Sequence, residues 1–285
     1  MLWTVASMTK APVNRLIPFS NVDGPGNRFA LFLQGCPFSC LFCHNPETIH
    51  LCVHCGACVK TCPVGALSRV DEKVIWNREK CVNCDTCIKV CPHLSSPKIR
   101  MMSPQEVLSE FEPVASYVRG ISVSGGECML YPQFLSELFA LIKAKGKTCL
   151  IDSNGFTAFE NYPELMSLAD GVMLDVKAVD DDFHKKICGV ENKTVLHNFS
   201  WLLKNQKLEE VRTILYPNYE EENLRTVDFI SKRVKNVRYK LLRYRPFGVR
   251  SQGIELLGNQ TYSLEDAQKL VDLAKSNGAS QVVCI

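Results

Sequence analysis

No stretch of this sequence holds about eighteen consecutive apolar residues, so no bilayer-spanning helix is expected. Met1 to Lys10 has neither a basic n-region nor a full apolar core. It therefore does not read as a signal peptide, and with Met8 nearby it reads as a loose start. An excess of charge is also missing. The 33 Lys and Arg against 30 Asp and Glu leave a net +3, too small to argue for nucleic acid or an anionic membrane as partner. Neither a Ser-His-Asp nor a Cys-His nucleophile arrangement is present, so nothing suggests a general base. The hydrophobic fraction of 46% and charged fraction of 22% are ordinary for a soluble globular protein. A length of 285 residues accommodates one sizeable domain with a small insert, or two modest domains.

Cysteine is scarce over most of the chain. After residue 91 only Cys128, Cys149, Cys188 and Cys284 remain, on or beside apolar patterns that suit small buried hydrophobes. The other eleven of fifteen crowd between Cys36 and Cys91 in three groups. Disulfide scaffolds are usually short chains with cysteines throughout. The crowding therefore reads as thiolate ligation of metal in a reducing, cytoplasmic compartment.

Two of the groups form an internal repeat. Cys52, Cys55, Cys58 and Cys62-Pro63 recur as Cys81, Cys84, Cys87 and Cys91-Pro92, every one shifted by 29 residues. Cys-x2-Cys-x2-Cys-x3-Cys-Pro is the bacterial ferredoxin run, whose fourth cysteine serves the other cluster. The expected ligand sets are therefore Cys52, Cys55, Cys58 and Cys91 for one [4Fe–4S] centre, and Cys81, Cys84, Cys87 and Cys62 for the other. A pair of structural zinc knuckles is the weaker alternative, since zinc sites rarely need the closing Cys-Pro. His54 and His93, beside the ligands, read as loop residues. The repeat marks an insert over 51–94, with Ser95-Ser96-Pro97 as its exit linker.

Around the insert, 1–50 and 95–285 form the main domain. Ser103-Pro104-Gln105-Glu106 has the N-cap, N1 proline and N3 acid of a helix start, with Val107, Leu108, Phe111, Val114, Ala115 and Val118 as its apolar face. Short apolar strands are expected at Phe29–Leu33, Ile121–Ser124, Thr148–Ile151, Val172–Leu174, Val211–Leu215 and Tyr239–Leu242, and a last one at Gln281–Cys284. Helical segments separate them, such as Leu135, Leu138, Phe139 and Ile142 with Gly146 as the C′ stop. Alternation of this kind implies an α/β fold with a parallel sheet and right-handed crossovers. The chain is short for a full eight-unit barrel, so a partial (β/α)6 barrel is expected, with the insert in the loop after its first strand.

The third cysteine group is Cys36-x3-Cys40-x2-Cys43, on a loop after a strand. Soft thiolates select zinc or iron–sulfur centres. Structural zinc would need a fourth ligand, His44 or a borrowed cysteine, whereas three cysteines on a four-iron cube leave one iron open to a substrate. This loop, with aromatic Phe42 before its last cysteine, resembles the radical S-adenosylmethionine (SAM) superfamily. Asn21-Val22-Asp23-Gly24-Pro25-Gly26-Asn27-Arg28 before it and Cys43-His44-Asn45-Pro46 at its end resemble the glycyl-radical-enzyme activases, and the insert resembles the two-cluster subgroup of the YjjW type.

The resemblance implies three [4Fe–4S] clusters and bound SAM. The open iron would take the amino and carboxylate groups of SAM, Phe42 would lie against adenine, and His44 would stand beside the cofactor. In a parallel barrel chemistry gathers at the C-terminal strand ends, and polar residues recur there in this chain. Ser124-Gly125-Gly126-Glu127 resembles the segment receiving the SAM amino group, its glycines allowing close backbone approach. Asp152, Ser153, Asp175 and the Met173 carbonyl are implied ligands of a monovalent cation near the SAM carboxylate, oxygen donors suiting a small cation. Val176 and Lys177 would face SAM from the same strand end, the bland reading of Asp175 and Lys177 being a rim ion pair. Arg212 would offer a bidentate donor to the SAM carboxylate or ribose. Arg245 stands where a related activase pattern has a histidine, and Arg243, Arg245 and Arg250 fit solvated or partner-facing roles equally well.

The implied function is reductive cleavage of SAM to a 5′-deoxyadenosyl radical that abstracts a glycine Cα hydrogen from a partner glycyl radical enzyme. Flavodoxin or a ferredoxin-type protein would be the reductant. Cys36, Cys40, Cys43 and Lys177 are the expected catalytic residues. The insert fits an electron relay, a docking module or a stabilising element. Two rivals are a radical SAM enzyme acting on a small molecule and a non-enzymatic ferredoxin-type subunit. The second leaves the first cysteine loop and the strand-end residues without a role.

Overall fold

The computed structural model describes residues 9–285, so the reading of Met1–Met8 lies outside the described residues. Strand β1 (Ala11–Ser20) pairs antiparallel with β2 (Arg28–Leu33), Leu16 opposite Leu31 and Ile17 opposite Ala30. After β2 come the first cysteine loop and the repeat segment, which holds a hairpin, β3 (Leu67–Val70) and β4 (Lys73–Trp76), and one helical turn, α1 (Thr86–Lys89). The chain re-enters the main sheet at β5 (Arg100–Met102), antiparallel to Ala11–Val13. Alternation then begins with α2 (Pro104–Phe111), β6 (Gly120–Gly125), α3 (Pro132–Ala144), β7 (Thr148–Ser153), α4 (Pro163–Leu168) and β8 (Gly171–Asp175). It continues through α5 (Asp181–Cys188), α6 (Lys193–Lys204), β9 (Leu208–Leu215), α7 (Glu220–Ser231), β10 (Arg238–Arg243), α8 (Ser251–Leu257), α9 (Leu264–Ser276) and β11 (Gln281–Cys284).

The nine-stranded sheet has the order β11-β10-β9-β8-β7-β6-β2-β1-β5. From β2 to β11 every neighbouring pair is parallel, so all seven C-terminal strand ends lie along one rim. Each strand expected from the sequence is present, and β6 through β9 are buried almost throughout, as strands covered on both faces must be. No helix among the described residues is long and apolar enough to cross a membrane.

The local signals act as their chemistry dictates. Ser103 Oγ accepts from Glu106 N–H while the Glu106 carboxylate accepts from Ser103 N–H, a complete capping box. Gly146, at φ +69°, ends α3 with Lys147 N–H donating to the Ile142 carbonyl. The expected helical face through Val118 is too long. α2 stops at Phe111, a 3-10 turn spans Glu112–Tyr117, and Val118 is extended. Pro113 is the reason, since it has no N–H to continue the ladder and its ring crowds the preceding turn.

The Gly-Pro-Gly segment before β2 lies at the opposite end of the strands from the cysteine loop. It positions Arg28, which is 1% exposed and donates to Ser122 Oγ, the Ile121 carbonyl and Thr148 Oγ1. A Cβ on Gly24 (φ +118°) would come within 2.9 Å of Leu150, so this part of the family-like motif serves packing.

Candidate active site

The first cysteine loop is tied down at every turn. Gly35 and Cys36 N–H donate to the carbonyls of Thr48 and Ile49, both at 2.9 Å, closing the loop on itself. Gln34, fully buried, donates from Nε2 to the carbonyls of Glu47 and His50 at 2.6 Å each. On the other side Ser39 and Leu41 N–H donate to the Cys188 and Ile187 carbonyls at the end of α5. Arg250 Nη2 donates to the carbonyls of Ser39 (3.1 Å) and Cys40 (3.0 Å). Gly253 in α8 packs so closely that a Cβ there would sit 2.0 Å from the Leu41 carbonyl oxygen. These contacts hold the three cysteines in the lining of a cavity of about 230 Å³ on the C-terminal rim of the sheet.

That cavity gathers most residues named from the sequence. Cys36, Cys40, Cys43, Phe42 and His44 line it from the loop, Gly125 and Gly126 from the end of β6, Asp152 and Ser153 from β7, and Asp175 and Lys177 from β8. Lys177 Nζ lies 2.8 Å from Asp175 Oδ2 and 5.6 Å from the centre of the Phe42 ring. Burial alone would drain the Lys177 charge, but Asp175 and Cys40 outweigh it and hold the ammonium above its usual pKa. Burial pushes the Cys36 thiol up to about 12 and Cys43 to about 11, so a metal would displace a proton at each.

Other named residues stand behind the wall. Glu127, 1% exposed, accepts from Met129 N–H, Ser153 Oγ–H and Asn154 N–H at 2.8–2.9 Å, and burial raises its pKa to about 7. It ties β6 to β7 and does not line the cavity. Arg212 Nη1 reaches both oxygens of Asp152 at 3.0 Å, Nε donates to Glu210 and Nη2 touches the Met173 sulfur, so its guanidinium is committed below the cavity floor. Val176 is fully buried, its N–H donating to the Arg212 carbonyl and its own carbonyl accepting from Thr213. The glycines have a second duty. A Cβ on Gly125 would fall 2.1 Å from the Leu33 oxygen and one on Gly126 2.2 Å from the Gly35 oxygen, so both permit β6 to nest under the cysteine loop.

One named residue lies outside the cavity lining. Arg245 lies beyond the end of β10 with an exposed side chain, and only its carbonyl is engaged, by His44 Nε2 at 3.0 Å. The cavity is lined instead by Arg243 and Tyr244. Sequence reasoning also missed Asn154, which directly follows Asp152 and Ser153 and lines the cavity. It missed Thr48 and Ile49 as well, which no local pattern distinguishes. Arg250, half-buried, is a clasp on the loop. Cys128, Cys149 and Cys188 are fully buried as expected, Cys188 against Cys40, while Cys284 is half-buried.

The repeat is as regular in backbone as in spacing. His54 and Asn83 have φ of 56° and 54°, Gly56 and Asp85 82° and 58°, and the pairs are 29 residues apart like the cysteines. Cys52, Cys55, Cys58 and Cys91 line one small cavity, and Cys62, Cys81, Cys84 and Cys87 another. Among the described residues no three ligating side chains converge closely enough to share one ion. His50 and Ser95, flanking the segment, meet in a parallel bridge.

The model of the radical SAM superfamily matches residues 31–230. The chain belongs to that superfamily and is an enzyme, and membership implies an iron–sulfur cluster and SAM. It is 31% identical over 236 residues to the choline trimethylamine-lyase activating enzyme of Oleidesulfovibrio alaskensis, covering 76% of each chain. It is 26% identical to a Haemophilus influenzae protein provisionally named a glycyl-radical enzyme activating enzyme, covering 99% of both. Streptococcus suis SuiB, solved bound to its precursor peptide SuiA, shares the fold over 88% of this chain and 46% of its own, at a TM-score of 0.58 and 11% identity.

Proposed function

We propose that the chain activates a glycyl radical enzyme. The observation that carries this reading is similarity over 99% of both chains to a protein provisionally named a glycyl-radical enzyme activating enzyme, with the three cysteines, the Gly-Gly turn and the Asp175–Lys177 strand end all lining one cavity. Residues 1–50 and 95–285 are read as a partial (β/α)6 barrel and 51–94 as a ferredoxin-like insert. The donor sets fit three [4Fe–4S] clusters: three soft thiolates with an open position on Cys36, Cys40 and Cys43, and two sets of four in the insert. Loaded with cluster and SAM, the site would supply one-electron cleavage of a sulfonium and a carbon-centred radical able to take a glycine Cα hydrogen.

The chain's own residues bind and orient. Lys177 offers a held cation to the SAM carboxylate, Phe42 an apolar face to adenine, and the Gly125-Gly126 backbone a close approach for an ammonium. Asp152 and Asp175 remain the candidates for a monovalent cation, with Ser153 beside them, although each already faces a buried cation of the chain, Arg212 or Lys177. A reducing, cytoplasmic setting and a flavodoxin or ferredoxin-type reductant accord with thiolate ligands.

The test is anaerobic. Reconstituted protein with dithionite and SAM should release methionine and 5′-deoxyadenosine, and with a glycyl radical enzyme encoded beside it should generate a protein-based glycyl radical by EPR. SAM cleavage with no radical on any such enzyme would transfer the reading to a small-molecule substrate.

A further inference from the structure

Asn154 follows the end of β7, and two contacts fix which way its amide faces. Its Oδ1 accepts from Phe156 N–H at 3.0 Å, and its Nδ2 lies 3.5 Å from Cys36 Sγ. Turning the amide over would set an NH2 against the Phe156 N–H and an oxygen against sulfur lone pairs, so both contacts demand the same orientation. The backbone is equally fixed, since Asn154 N–H donates to the buried Glu127 carboxylate at 2.8 Å and Ser153 Oγ holds its other oxygen at 2.9 Å. On the opposite side Cys36 is anchored by its own N–H to the Ile49 carbonyl. Asn154 is 7% exposed, so water competes little for its amide.

We propose that Asn154 is a positioning residue whose N–H···S hydrogen bond to Cys36 makes the cluster on Cys36, Cys40 and Cys43 easier to reduce. The inference rests on the reading that these cysteines hold a cluster. Reduction by an external one-electron donor adds one negative charge, with no bond made or broken, and part of that charge spreads onto the thiolate sulfurs. A donor aimed at one sulfur stabilises the reduced form more than the oxidised form, which is how hydrogen bonds to sulfur raise a cluster's potential. The shared Glu127 anchor makes the bond a fixed feature of the β6–β7 rim.

The test uses the full-length, reconstituted protein as wild type, Asn154→Ala and Asn154→Asp. The aspartate keeps the acceptor for Phe156 N–H but has no donor for sulfur. EPR at controlled potential follows the signal that responds to SAM, which distinguishes the first cluster from the others. At the wild-type midpoint the reduced-to-oxidised ratio should fall about tenfold in Asn154→Ala, about 59 mV for one electron, and at least as far in Asn154→Asp. Wild type grown with side-chain 15N-labelled asparagine should show a 15N coupling to the reduced cluster by pulsed EPR, a readout that stands even where a variant loses iron. An unshifted ratio in a variant that keeps its iron, or a missing coupling in the wild type, overturns the proposal. A wild type with no SAM-responsive signal at all refutes the cluster reading itself.

Discussion

Lys177 sits almost wholly inside the protein with its ammonium 2.8 Å from Asp175, and both face the cavity. An exposed pair of this kind contributes at most about 1 kcal/mol, but a buried cation held charged at a cavity wall is a ready partner for an anionic ligand. Asp175→Asn keeps volume and removes the charge that orients Lys177. It should assemble its full iron yet bind SAM more weakly by roughly 1–3 kcal/mol, the range for charge-assisted contacts. Lys177→Met removes a donor and should slow SAM cleavage as well. SAM affinity is measured anaerobically through the EPR change of the reduced cluster; wild-type affinity in both variants would mean that the end of β8 does not line the binding site. These residues were legible because parallel strands bring their C-terminal ends together, so polar residues after apolar runs converge. The pairing behind Asp152 was not. Asp152 and Arg212 are 60 residues apart, and nothing local tells that the guanidinium serves the carboxylate below the cavity. Past the end of β10 strand alternation no longer says which residue turns inward, and there Arg243 and Tyr244 line the cavity while Arg245 does not.

Among the elements, the parallel strands announce themselves as short apolar runs, whereas β1 does not. It contains Pro12, Pro18, Asn14 and Arg15, has irregular register against β2, and is paired on its outer side only over Ala11–Val13. Proline and polar residues are tolerated on such a nearly free edge, and they erase the periodic signal. Helix α8 was equally silent, yet it closes over the cysteine loop through Arg250 and Gly253. Its glycine is required by contact, since the Leu41 carbonyl occupies the space of a Cβ. Gly253→Ala must push helix and loop apart. Thermal unfolding should move down by several degrees, as for about 1–3 kcal/mol of overpacking, and iron should leave the first cluster faster under chelator. The irons of the repeat segment, far along the chain from α8, should leave at the wild-type rate. Equal chelation rates for all iron in the variant and wild type would show that α8 does not govern the loop.

For the molecule as a whole, the crossed cysteine sets make a count. Each cavity in the repeat segment borrows its fourth cysteine from the other run, Cys91 for one and Cys62 for the other, so on the proposed reading neither run would close a centre alone. The cavity of the first loop holds no cysteine of the segment, and Cys36 N–H bonds to Ile49, which lies ahead of it. Iron should therefore partition by region. The reconstituted wild type should hold about twelve irons, and the Cys36, Cys40 and Cys43 triple alanine variant about eight. Replacing Cys52, Cys55 and Cys58 together should remove at least four from the segment, while the first cluster still binds SAM. A larger fall in glycyl radical formation than in SAM binding would then assign the segment to electron supply or docking, and unchanged kinetics at limiting reductant would assign it to stability. Stoichiometric zinc without charge-transfer absorbance in the wild type would refute the cluster reading for all three sites. The decisive measurement is iron per chain with absorbance, taken on the same anaerobic samples.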